Sequence, residues 1–396
     1  MRDAEKMIKS RENMKNFWII AGEASGDMYG AELARQLRQL GKEYNEEVNI
    51  TGMGGPKMMA ADVPVKVDST ELGVMGIFEI TKILFTFIKI YFKLVKEAKA
   101  ERPDAVILID YPGFNLLFAL AMHRAKIPVV WYVCPHLWVW GKWRLPVLAR
   151  ICSKMLVIFP FEEEVFAPTP LKATFVGHPL SEIVGNRLDS TLVRDPDTFL
   201  LLPGSRKMEI DKLLVPMLET ITQLSKTHPQ LKYHLAAPRE KVANMCKNKI
   251  EKFRAKNADC PEVTISVGDT GVWMQTAGTG LAASGTVTVE CALSGLPLVV
   301  GYKLNLFTLA LAKILVKLYR GFFTMVNIIA NKAVFHEFLQ WHFAPGELLP
   351  AIEAILPAGS RRSEVEAGMK EVADALRNPN NTSVAERVAR ECWEVK

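Results

Sequence analysis

The stretch FWIIAGEASGDMYGAELARQL (residues 17–37) decides the fold. Four apolar residues, 17–20, run through Ala21 into Gly22. After Glu23-Ala24-Ser25-Gly26-Asp27 the pattern becomes helical. An unalternating apolar run that ends at glycine and passes straight into a helix suits a parallel strand buried on both faces. In an open α/β sheet that junction lies at the strand's carboxyl end, where ligands bind. Here it carries two carboxylates, a hydroxyl and two glycines. Phosphate binding, acid–base chemistry and a tight turn with Asp27 capping the following helix all stay open.

The same unit recurs along the chain. Apolar runs at 48–55, 104–110, 127–133, 154–159 and 173–179 are each followed by a turn and a helical pattern. The polar, aperiodic stretch 185–198 reads as a linker. The pattern then restarts at 199–206, 231–237, 263–268, 280–285 and 296–302. A chain of 396 residues exceeds one ordinary core. The expectation is therefore an α/β protein of two doubly wound, Rossmann-like domains, residues 16–185 and 186–378, facing a central cleft. Residues 379–396 form a terminal helix that packs back on the first domain.

The totals exclude several classes. A net charge of +6 suits an anionic ligand or surface without calling for nucleic acid. Six cysteines without CxxC spacing read as reduced thiols of a cytoplasmic protein. The first 16 residues contain no apolar h-region, and no run of about 18 uncharged apolar residues occurs. HxH and HExxH patterns are missing, and no metal site is expected.

Residues 74–100 stand apart. Glu79, Lys82, Thr86, Lys89, Lys93 and Lys96 recur at spacings of three and four, with Ile83, Leu84, Phe85, Phe87, Ile88, Ile90 and Phe92 between them. This is a helix with a lysine stripe and a broad apolar face, suited either to an anionic lipid surface or to a core. Residues 304–323 have the same character.

Four places could carry chemistry. Asp110 ends an apolar run before Pro112 and Gly113, placed either as a general base or as a helix cap. Gly204, Ser205 and Arg206 follow a strand, where a guanidinium can pair with phosphate oxygens. Ser284, Gly285 and Thr286 close a strand and open a helix, so their N–H groups and hydroxyls suit an anion, and Glu290 lies one turn on, within reach of ribose hydroxyls. His178 ends a strand as a cap or a ligand contact. The segment 131–144 holds four tryptophans beside Lys142 and Arg144, suited to core packing or to a sugar or acyl surface.

Taken in order, AGEASGD, GMGGPKM, LGVMGIFE, IDYPGFN, YVCPHLWVW, FVGHPL, LLPGSR and ASGTVTVECAL resemble the lipid-A-disaccharide synthases, and the likeness continues through NIIANKAVFHEFLQ at 327–340. The resemblance implies a GT-B glycosyltransferase. It would transfer diacylglucosamine from UDP-2,3-diacylglucosamine to the 6-hydroxyl of 2,3-diacylglucosamine 1-phosphate (lipid X), with inversion, without metal or cofactor, on the cytoplasmic face of the inner membrane.

By the same resemblance Asp110 is the general base, with Glu23 and Ser25 as further catalytic candidates. Arg206 and Ser205 lie at the donor phosphates, and Ser284, Gly285, Thr286 and Glu290 bind UDP. His178, Asn327, Glu337 and Gln340 are further cleft candidates. Lys82, Phe85, Lys89, Phe92 and Lys93 are the membrane contacts, and some relatives pair as homodimers. Gly113 stands where many relatives carry Asp, and Cys134 and His136 where Ser and Gln are common. A UDP-sugar epimerase, a peptidoglycan-type transferase and a non-enzymatic membrane module that binds nucleotide sugars are the competing readings.

Overall fold

The computed structural model describes residues 14–69, 80–135, 137, 142–303, 321–380 and 382–395, with backbone alone at 80–84 and 142. The chain divides into two compact units. The first comprises Met1–Pro179 with Asn378–Lys396, the second Leu180–Arg377.

The first unit is built on seven strands: β1 (Met14–Ala21), β2 (Glu47–Gly54), β3 (Val65–Asp68), β4 (Ala105–Ile109), β5 (Val129–Tyr132), β6 (Lys154–Val157) and β7 (Ala173–Phe175). Their order is β3-β2-β1-β4-β5-β6-β7, and all pairings are parallel. β4 is buried throughout, and β1 from Phe17 onward, as the unalternating apolar runs require. The direction of strand addition reverses between β1 and β4, which end in register with Ala21 opposite Ile109. That reversal marks the switch point at which such sheets bind ligands. Gly22 and Asp110 are the next residues on the two strands.

An aromatic column holds this region together. Phe87 of the helix Ile80–Glu101 meets Phe114 edge-on at 5.2 Å, and Phe114 stacks on Phe118 at 5.9 Å. Each such contact adds about 0.5–1.5 kcal/mol beyond area burial. Phe114 and Phe118 belong to the helix Pro112–Arg124, which begins two residues after Asp110, so the column fixes how the chain leaves β4. Trp131 is core, whereas Trp143 is exposed under the Arg144 guanidinium at 5.3 Å. Trp138 and Trp140 lie outside the described residues. The helix Val384–Trp393 packs on the helix Ala24–Tyr44, with Trp393 5.3 Å from Tyr44 and Lys154 paired to Glu391 at 2.6 Å.

The second unit repeats the plan with β8 (Asp195–Leu202), β9 (Lys232–Ala237), β10 (Val263–Val267), β11 (Ala277–Ala283), β12 (Leu298–Tyr302) and β13 (His336–Leu339). The order is β10-β9-β8-β11-β12-β13, again all parallel. β8 opens at Asp195, inside the polar stretch 185–198, because the strand's first three residues keep contact with solvent before Thr198 and Phe199 enter the core. Its switch point falls between β8 and β11, the two strands followed by Gly204–Arg206 and Ser284–Thr286.

Candidate active site

In the first unit the loop after β4 is under backbone strain. Asp110 and Tyr111 both have φ of 46°, in the left-handed region. Aspartate tolerates that region better than most residues, but a tyrosine there costs about 1–3 kcal/mol. The fully buried Asn115 sustains the turn by donating to the carbonyls of Asp110 (2.7 Å) and Ile109 (3.3 Å). The turn lays the Tyr111 ring over Gly22. A Cβ at residue 22 would stand 2.1 Å from Tyr111 Cδ1, so only glycine fits.

Burial pushes the Asp110 carboxyl up to about 6, and the negative charge of Glu23 pushes the same way. A hydrogen bond from the Tyr111 N–H opposes both. The Tyr111 phenol is raised by the same burial and the same Glu23 charge. Glu23 and Ser25 are exposed at the start of the helix Ala24–Tyr44. Asp27 corrects one expectation: it does not cap the helix that contains it. It is buried and accepts from the N–H groups of Gly55 (2.7 Å), Lys57 (2.9 Å) and Met58 (3.0 Å), capping the short helix Pro56–Ala60 instead. The cap position of its own helix belongs to Glu23, and Asp27, four residues on, faces the loop after β2. His178 is 5 % exposed against Phe159, and burial lowers its imidazole to about 4.

In the second unit Ser205, Arg206, Ser284, Gly285, Thr286 and Glu290 come together around one cavity of about 390 Å³, with Glu209, Pro238, Thr270 and Met274 also in its wall. Gly204, at φ 106°, turns the chain there, and a Cβ on it would strike the Glu209 carboxylate at 2.4 Å. Glu209 accepts from the N–H groups of Ser205 (3.0 Å) and Arg206 (3.2 Å) and from Arg206 Nη1 (3.1 Å). It holds the loop while the Arg206 side chain stays 80 % exposed. The sequence signal for Glu209 is its place three residues into the helix, the capping-box spacing.

The N–H groups left open at this helix start begin one residue later than the sequence suggests. Ser284 donates its N–H to the Gly301 carbonyl (2.8 Å), extending the ladder between β11 and β12. The N–H groups that a helix start leaves without an intrahelical acceptor therefore begin at Gly285. Glu290 is raised by burial, with the Arg187 charge opposing.

Asn327 and Glu337 lie in the second unit but do not line this cavity. Asn327 Nδ2 donates to Phe335 O (2.7 Å) and to Glu337 (2.8 Å), and Glu337 also accepts from the N–H groups of Phe323 and Thr324. The pair anchors the start of the helix Met325–Ala330. Gln340 follows β13 at φ 58°, outside the cavity wall.

The helix Ile80–Glu101 serves two surfaces. Leu94, Val95 and Ala98 are buried and Phe87 and Ile90 pack on the core, whereas Phe85 (76 %) and Phe92 (65 %) are exposed with Ile88, beside Lys89, Lys93 and Lys96. The apolar face is thus split rather than continuous. The Lys82 side chain and residues 74–79 and 304–320 lie outside the described residues. Among the described residues no helix is long and apolar enough to cross a membrane, and no three His, Cys, Asp or Glu side chains are grouped to hold a metal.

The profile of the lipid-A-disaccharide synthetase family matches residues 17–391. The chain belongs to that family. The lipid-A-disaccharide synthase of Koribacter versatilis is 35 % identical over 385 residues, spanning 95 % of this chain and 97 % of that protein. Among solved structures, the UDP-GlcNAc 2-epimerase of Neisseria meningitidis bound to UDP-GlcNAc aligns with a TM-score of 0.57 at 11 % identity, covering 96 % of this chain and 99 % of that one. A glycosyltransferase of Rickettsia africae aligns at 0.55 and 10 %, covering 97 % and 100 %. These likenesses show the fold, two Rossmann-like domains of the GT-B type. Family membership makes this lipid-A-disaccharide synthetase relative a glycosyltransferase of lipid A biosynthesis.

Proposed function

We propose that the enzyme transfers 2,3-diacylglucosamine from UDP-2,3-diacylglucosamine to the 6-hydroxyl of 2,3-diacylglucosamine 1-phosphate. The products are the β-1,6-linked disaccharide 1-phosphate and UDP. The observation that carries this reading is Asp110, a desolvated carboxylate held at the switch point of the first unit on a strained turn. Asp110 takes the proton as the acceptor's O6 forms its bond to the donor's C1. The bond from C1 to the diphosphate oxygen breaks on the opposite face, its electron pair leaves with UDP, and one displacement inverts the anomeric centre. Arg206 and the N–H groups beginning at Gly285 take up the charge developing on the diphosphate, and Glu290 meets the ribose hydroxyls. Glu23 and Ser25 belong to the acceptor side, where the Glu23 charge helps to keep Asp110 basic. The cavity around Arg206 and Thr286 supports the donor assignment. The direct test supplies both acylated substrates and measures UDP and the lipid product.

Both substrates carry acyl chains, and the reading places the enzyme on the inner-membrane surface without spanning it. Phe85, Ile88 and Phe92 follow one another at helical spacing, with Lys89 and Lys93 one turn along. Phenylalanines would enter the acyl boundary while lysines meet anionic headgroups. Replacing both Phe85 and Phe92 by Ser is expected to lower binding to phosphatidylglycerol-containing vesicles in co-sedimentation by about tenfold or more, at roughly 25 cal/mol per Å² of apolar surface. The melting temperature should stay at the wild-type value, since neither ring is in the core. Unchanged sedimentation would remove this helix from the membrane surface.

A further inference from the structure

The two left-handed residues after β4, Asp110 and Tyr111, are held by groups that the reaction scheme does not use. Strand alternation shows what their conformation changes. Val106 and Leu108 belong with Phe114 and Phe118 to one buried cluster. An extended residue 110 would carry its carboxylate to that same apolar face. In the left-handed conformation the Asp110 carboxylate is partly exposed, accepts from the Tyr111 N–H and feels the Glu23 charge.

Asn115 fixes that conformation at its source. The carbonyls of Ile109 and Asp110 belong to the two peptide planes that flank the Asp110 Cα. Asn115 Nδ2 donates to both, at 3.3 and 2.7 Å. Holding both planes sets φ and ψ of Asp110, and with them the direction of its side chain. The other end of the amide, Oδ1, is buried without a hydrogen bond. An unsatisfied buried oxygen opposes folding, so what Asn115 contributes comes from its donor end. Outside the turn, the Tyr111 ring lies over Gly22 and stacks on Phe114 at 6.1 Å and 26°. Among the described residues, the ionisable groups facing Asp110 are Glu23, Tyr111 and Cys134, and burial raises the phenol and the thiol so that both stay neutral.

We propose that Asn115 is a positioning residue of the transfer reaction, which aims the Asp110 carboxylate at the acceptor hydroxyl by clamping the two peptides beside it. This rests on the reading of Asp110 as the general base. Turnover and its pH profile are measured for the full chain with both acylated substrates, and UDP affinity by titration calorimetry. Asn115→Ala should lower kcat about 10- to 100-fold, the cost of a misdirected catalytic group, and leave UDP affinity unchanged. It should also move the acid limb of kcat/KM below its wild-type position near 6. A released carboxylate gains water, and its raised pKa falls toward 3.8. Tyr111→Asn relieves the left-handed strain, so removing Asn115 in that background should cost less turnover than in wild type. Where Asn115→Ala alone gives no folded protein, the Tyr111→Asn background supplies the pH profile. A lower kcat with the acid limb in place would reduce Asn115 to a structural role and overturn the proposal. Wild-type kcat in Asn115→Ala, or equal losses in the two backgrounds, would overturn it as well. Wild-type turnover in Asp110→Asn would instead overturn the base assignment on which it rests.

Discussion

Replacing Asp110 by Asn is expected to cut turnover by about 10²- to 10⁴-fold, the usual contribution of a general base, while UDP affinity stays at the wild-type value. Asparagine keeps the shape of the side chain and tolerates the left-handed backbone at φ 46°, so the strained turn and the Tyr111–Gly22 contact should survive. The substitution should also stabilise the fold. With the folded carboxyl at about 6 and the unfolded one at 3.8, the folded state holds its proton more tightly between these values. The resulting stabilisation is complete below pH 3.8 and is lost as pH rises through 6. At neutral pH the ionised Asp110 therefore costs about 1–2 kcal/mol after allowance for solvent screening, and Asn removes that cost. Thermal melting at pH 7.5 should show a higher midpoint for Asp110→Asn. The wild-type pH profile of kcat/KM should lose activity below about 6, as the base becomes protonated. Near-normal turnover by the variant would end the role of Asp110.

The second large effect is expected at Arg206. Arg206→Ala should raise the donor KM by about 10- to 100-fold, the range of a hydrogen bond to a charged group, and should weaken UDP in calorimetry by a similar factor. Stability should barely change, because the guanidinium is largely exposed and its pair with Glu209 is of the surface kind. Arg206→Lys should recover part of the affinity, since it keeps the charge but not the planar fork. An unchanged KM would take Arg206 out of the donor site.

The sheets were legible because parallel strands covered on both faces leave unbroken apolar runs, and the ends of β1, β4, β8 and β11 could be read directly. Their pairing order is a tertiary property, yet it is what turns Asp110 and Arg206 from strand-end residues into switch-point residues. Asp27 is not legible from local pattern, because its partners lie 28 to 31 residues away and no local spacing announces them. The faces of the helix Ile80–Glu101 were ambiguous for a different reason. With apolar residues on most sides, only the packing of Phe87 against Phe114 shows which ones the core takes and leaves Phe85 and Phe92 outside. Ser284 carried an anion motif in its residue type, but its N–H belongs to the ladder.

The central claim is the transfer itself, and one measurement addresses it most directly. The full chain is incubated in mixed micelles with UDP-2,3-diacylglucosamine and 2,3-diacylglucosamine 1-phosphate, with mass spectrometry of the lipid and quantitation of UDP. The account predicts one UDP released per tetraacylated disaccharide 1-phosphate formed, with a β-1,6 linkage, and loss of both signals in Asp110→Asn. UDP release without a disaccharide, or conversion of unacylated UDP-N-acetylglucosamine to its 2-epimer in place of transfer, would contradict it.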